Sequence, residues 1–78
     1  MYVLEDSEFK FISDEIYKYA RINLTEKKRS LIISRLSKRI RKLNLDGFKE
    51  YIDYLKYNDE DKNEFQNMIN AISTNYSV

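Results

Sequence analysis

The sequence predicts an all-α fold, a small bundle of four short helices. Two observations point there: the 78 residues include no Pro, a single Gly and 35% charged side chains, and apolar residues recur at helical spacing in four separate stretches. A strand-rich fold of this size would need turn residues at short intervals. A chain of this length has room for one modest core, so residues 1–78 are expected to form a single helical domain.

The first helix is predicted from about Ser7 to Ala20, with Asp6 or Ser7 as N-cap and Phe9, Ile12, Ile16 and Ala20 on one face. Glu8, Asp14 and Glu15 occupy its opposite side. The second is expected to begin after Thr25 and continue to Leu43, carrying the stripe Ile32, Ile33, Leu36, Ile40 and Leu43. Asn44 suits the left-handed position that closes a helix. The third follows Asp46 and Gly47, with Phe48, Ile52 and Leu55 on the core face and Tyr51 and Tyr54 flanking it. The fourth is placed from Asn58 or Asp59, its first turn acidic and its stripe made of Phe65, Met68, Ile69 and Ile72. Short connections imply that neighbouring helices pack on one another.

Composition excludes much chemistry. Without Cys or His, the chain has no disulfide, no thiolate nucleophile, no histidine acid or base, and no ligand set for most transition metals. No residue is assigned a catalytic role and no metal site is expected. Glu5, Asp6 and Glu8 stand where a signal peptide would need basic residues. No apolar run approaches the roughly 20 residues that span a bilayer. The expectation is a cytoplasmic, monomeric protein without membrane insertion.

The formal net charge of +1 conceals a segregation. Lys27 to Lys42 holds eight basic residues and no acidic one; the remainder carries six basic against thirteen acidic residues, a net of −7. At about 100° per residue, Lys28, Arg35, Arg39 and Lys42 share a narrow arc beside the apolar stripe, with Lys38 at its outer edge. Some of these charges can pair with the acidic helices, at about 0 to 1 kcal/mol per exposed pair. Like charges at i,i+4 repel, however, so so many unmixed cations point to an anionic partner. No aromatic residue lies between Thr25 and Leu45 for base stacking, and the acidic body would repel a long phosphate backbone, so nucleic acid is not expected. An acidic protein helix fits best.

Arg35-Leu-Ser-Lys-Arg-Ile-Arg-Lys-Leu-Asn-Leu-Asp-Gly-Phe-Lys-Glu-Tyr-Ile-Asp-Tyr-Leu55 resembles the N-terminal helical domain of the CheR-type chemotaxis receptor methyltransferases. Their pattern there is a basic Arg-Leu-x-Arg-Arg-Leu-Arg helix, a Leu-Gly-Leu turn and a Phe-x-Glu-Tyr helix. Ile22-Asn23-Leu24 with Lys28 resembles the preceding turn, and Ser73-Thr74-Asn75-Tyr76-Ser77 is similar to the family's Thr-Thr-Asn-x-Thr segment. Arg21 stands where the family usually has Gly, Asn44 replaces the Gly of the turn, and Ser77 stands for Thr.

The resemblance implies a domain of an enzyme that moves a methyl group from S-adenosylmethionine to glutamates on the cytoplasmic helical bundle of a chemoreceptor. On this reading Lys28, Arg35, Lys38, Arg39 and Lys42 engage the acidic receptor helix. Asn75 and Ser77 contact the cofactor at the junction with the enzyme's own C-terminal catalytic domain, which lies outside these residues. The chain alone is then expected to be inactive. The alternative from another class is a freestanding helical interaction domain, a regulatory or a nucleic-acid-associated module, without a catalytic role.

Overall fold

A computed structural model describes residues 2–73, which form four α-helices and a single 3₁₀ turn. The helices are α1 (Asp6–Ala20), α2 (Arg29–Lys42), α3 (Phe48–Tyr57) and α4 (Asn63–Ser73), and the 3₁₀ turn Glu26–Lys28 leads into α2. The all-α expectation holds, with differences at the helix ends.

α1 buries Ile12 and Ile16 completely. Its N-cap is Glu5 rather than Asp6 or Ser7, and the Glu8 carboxylate reaches back to accept the Glu5 N–H at 2.8 Å. That reciprocity satisfies a donor the helix leaves orphaned. Arg21 ends α1 in the left-handed region (φ 59°, ψ 26°), its N–H donating to the Tyr17 carbonyl at 3.0 Å. The conformation costs a non-glycine residue about 1 kcal/mol. The Arg21 guanidinium lies 5.6 Å from the centre of the Tyr17 ring, a contact that offsets part of this.

The entry into α2 is tighter than an uninterrupted helix from Thr25. Thr25 is extended, and its carbonyl accepts the Lys28 N–H at 2.8 Å to form the 3₁₀ turn. Arg29 then joins three parts of the chain, donating to the Leu4 carbonyl and Asp6 Oδ1, each at 2.8 Å, and to Glu26. Its guanidinium also covers the Phe9 ring at 4.7 Å. At the other end Asn44 takes the left-handed conformation expected of it (φ 60°). The Asn44 N–H bonds the Arg41 carbonyl and the Leu45 N–H bonds the Ile40 carbonyl, each at 3.0 Å. These paired bonds occupy carbonyls that would otherwise lack donors.

α4 starts at Asn63, later than the acidic Asn58–Asp61 stretch suggested. Lys62 is left-handed (φ 58°), which breaks helical continuity. The buried Asp59 instead caps the helix from outside: its carboxylate accepts the N–H groups of Glu64 at 3.0 Å and Phe65 at 2.9 Å. A single side chain thus serves two orphaned donors.

α2 packs chiefly on α4, and α1 on α3. The shared core takes Ile32, Leu36 and Ile40 from α2, Phe48, Ile52 and Leu55 from α3, and Met68 and Ile72 from α4, together with Leu4 and Leu24 from the segments between helices and before α1. Tyr51, expected at the margin, is fully buried. Ser37 is also buried and its hydroxyl has no hydrogen-bond partner. Replacing it should remove a desolvation cost and improve helix propensity. Ser37→Ala is therefore expected to raise stability by about 1 kcal/mol, measured as a higher urea midpoint at unchanged slope.

Candidate partner-docking surface on the basic helix

α2 presents one face to the core and another to solvent, and the structure divides its cations between them. Lys38, Arg41 and Lys42 are exposed and make no ion pair among the described residues. They span an arc of about 100° on the outer face. Lys27 and Lys28 extend the basic surface into the 3₁₀ turn, Lys27 exposed and Lys28 half-buried.

Two of the five cations expected to meet a partner are tied to α4. The Arg35 Nη1 donates to the Ala71 carbonyl at 2.7 Å. Arg39 grips Glu64 with two parallel bonds, Nε to Oε2 at 3.0 Å and Nη2 to Oε1 at 2.7 Å. The Glu64 side chain is only 4% exposed. Its Oε2 also accepts the Tyr51 hydroxyl at 2.7 Å, and its Oε1 the Asn67 amide at 3.4 Å. α2, α3 and α4 therefore meet at one carboxylate.

At neutral pH, electrostatics keep Glu64 ionised, Arg39 protonated and Tyr51 neutral. Burial alone would raise the Glu64 carboxyl, but the hydrogen bonds from Arg39, Tyr51 and Asn67 outweigh it and leave the pKa below the ordinary 4.5. The bond to Glu64 raises the Arg39 pKa above its usual value. Burial first, and the adjacent carboxylate second, push the Tyr51 phenol far up, so it stays a neutral donor.

The sequence signal for this cluster was present. Glu64 precedes Met68 and Ile72 by four and eight residues, in register with the core stripe, and Tyr51 lies between Phe48 and Leu55 in the same way. An acidic residue in core register implies a buried basic partner.

No group of three or more His, Cys, Asp or Glu among the described residues could hold a metal, and no described helix is long and apolar enough to cross a membrane. Gly47, the one glycine, is extended at the start of α3 rather than in a phosphate-binding turn, and the described grooves open to solvent. Asn75 and Ser77, the expected cofactor contacts, lie outside the described residues.

Because the Glu64 pKa is lowered on folding, its contribution to stability is complete above the ordinary value and is lost as pH falls through the folded one. Glu64→Gln is expected to lose about 3 kcal/mol at neutral pH, since it strands Arg39. Urea unfolding across a pH series should also show a shallower acid-side decline below pH 4.5 for the variant than for the native chain.

The comparisons with known proteins agree with this architecture. Residues 7–73 match the family profile described as the CheR methyltransferase, all-alpha domain. A chemotaxis protein methyltransferase of Salmonella typhimurium is 40% identical over 75 residues, covering 96% of this chain and 26% of the relative. Chemotaxis protein methyltransferase 2 of Pseudomonas aeruginosa is 39% identical over 77 residues, covering 99% of this chain and 26% of the relative. A probable chemotaxis protein methyltransferase of Rhizobium etli is 58% identical over 38 residues, covering 49% of this chain and 14% of the relative. No solved structure matches the chain. The chain thus spans about a quarter of the length of the first two relatives. With its four helices in place and the family profile running from the start of α1 to the end of α4, this chain belongs to the all-alpha domain family of the CheR methyltransferases.

Proposed function

We propose that this chain is the substrate-docking domain of a chemotaxis protein-glutamate methyltransferase, and that it holds an acidic chemoreceptor helix against the outer face of α2. The observation that carries the reading is the set of exposed cations Lys38, Arg41 and Lys42, which make no ion pair among the described residues, on a helix fixed from behind by its bonds to α4. A fixed basic face attracts a glutamate-rich helix during encounter and sets its register afterwards. Lys28 extends the surface toward the start of α2. Arg35 stands at its edge, one guanidinium nitrogen already engaged with Ala71. Arg39 supports the surface from beneath through Glu64.

Docking is the larger part of such an enzyme's task. A glutamate side chain, with a reference pKa of about 4.3, is already ionised near neutrality and needs no base. What remains is to bring its oxygen into line with the methyl donor. In the proposed parent that donor is S-adenosylmethionine, with Asn75 and Ser77 as polar contacts at the junction with the catalytic domain. The described residues supply orientation only, and methyl transfer by the purified 78-residue chain is expected to be absent.

Lys38→Glu combined with Lys42→Glu should weaken binding of a glutamate-rich receptor-helix peptide at least tenfold, about 1.4 kcal/mol, while leaving the unfolding midpoint nearly unchanged. Binding is read by fluorescence anisotropy over a salt series, with duplex DNA of matched charge as competitor. Preference for DNA with a steep salt slope, or no difference between the native chain and the double variant, would refute the docking role. Arg39→Glu is not a suitable probe, because it sets two carboxylates together in the core.

A further inference from the structure

We propose that the outward cations at α2 form two separate poles, Lys27 at one end and Lys38 with Arg41 at the other, and that these select a partner helix whose acidic residues stand three turns apart. The inference rests on the reading of α2 as the docking face for an acidic helix, and it names the spacing such a partner must carry.

The outer face is not evenly basic. At about 100° per residue, Ser30, Ser34, Lys38 and Arg41 fall within an arc of about 80°, and all four are exposed. The same line runs back through the 3₁₀ turn to the exposed Lys27. Between Lys27 and Lys38 it holds only Ser30 and Ser34, with the half-buried Leu31 beside them. The other cations of this stretch are turned aside. Arg29 is engaged by Asp6, Glu26 and the Leu4 carbonyl, and Arg35 by the Ala71 carbonyl. Lys28, half-buried, lies about 120° round the helix from Ser34.

Distance makes the two poles independent. Eleven residues separate Lys27 from Lys38, a rise of about 16 Å, whereas screening at physiological salt limits the reach of an exposed charge to about 8 Å. One carboxylate therefore cannot serve both poles. Eleven residues also come close to three whole helical turns, so a helix with glutamates at that spacing shows both on one face. Laid along α2, it sets one carboxylate at each pole and an uncharged stretch over the short serines. Glutamates four residues apart, about 6 Å, reach one pole only; at eighteen residues, about 27 Å, they overshoot.

Peptides of matched charge test the spacing. Alanine-rich helices of equal length and helicity, each with two glutamates spaced four, eleven or eighteen residues apart, are titrated against the 78-residue chain, with binding read by fluorescence anisotropy. The eleven-residue spacing is expected to bind at least fivefold more tightly than either other peptide. Lys27→Gln should bring it down to the level of the four-residue spacing. Ser34→Lys, which fills the gap between the poles, should lift the four-residue spacing to within twofold of the eleven. Both substitutions fall at exposed positions, and urea midpoints check that the variants fold. Equal affinity for the three spacings, tightest binding of another spacing, or a preference that survives Lys27→Gln would each overturn the two-pole arrangement and leave the docking role standing. Failure of every peptide to bind would remove the docking role and this inference with it.

Discussion

One buried carboxylate organises this bundle. Glu64 receives two bonds from Arg39 on α2 and one from the Tyr51 hydroxyl on α3 while it sits in the first turn of α4. A buried ion of this kind contributes less net stability than its close contacts suggest, because desolvation cancels much of the attraction. Its larger effect is on geometry. The fork of Arg39 fits the carboxylate at a single register of α2 against α4. Once that register is set, Arg35 falls opposite the Ala71 carbonyl. The outward face of α2 is fixed by the same constraint that closes the core.

The helices and most of the core could be read from the sequence because period and burial coincide. Ile12 with Ile16, Ile32 with Leu36 and Ile40, and Met68 with Ile72 are all fully buried. The helix ends were less legible. Lys62 adopts a left-handed conformation that its residue type does not advertise, whereas Arg21 takes one at the position where the resembling family has Gly, and Asp59 caps α4 across a turn, where the composition of 58–61 resembles a first helical turn. Asn44 was legible because few other residues tolerate that position so well.

The basic surface was legible as composition but not as geometry. Eight cations in sixteen consecutive residues mark Lys27 to Lys42 without ambiguity. Which of them face outward depends on partners in other helices: Asp6 and the Leu4 carbonyl claim Arg29, Glu64 claims Arg39 and the Ala71 carbonyl claims Arg35. Lysine and arginine divide accordingly. The arginines that join helices use a planar fork that bonds several acceptors at once, while Lys38 and Lys42 stay in solvent as compact, strongly hydrated charges.

The antiparallel arrangement of α2 and α4 also completes a circuit of backbone dipoles. α4 has an acidic residue in its first turn and no basic residue in its last, whereas α2 ends in Arg39, Arg41 and Lys42. Arg39 lies at the negative end of α2 and Glu64 at the positive end of α4, so each charge is stabilised by its own helix before they meet. Arg35 supplies the cation that the C-terminal end of α4 lacks. α4 therefore borrows half of its dipole compensation from a neighbour, and its helicity belongs to the pair rather than to its own sequence.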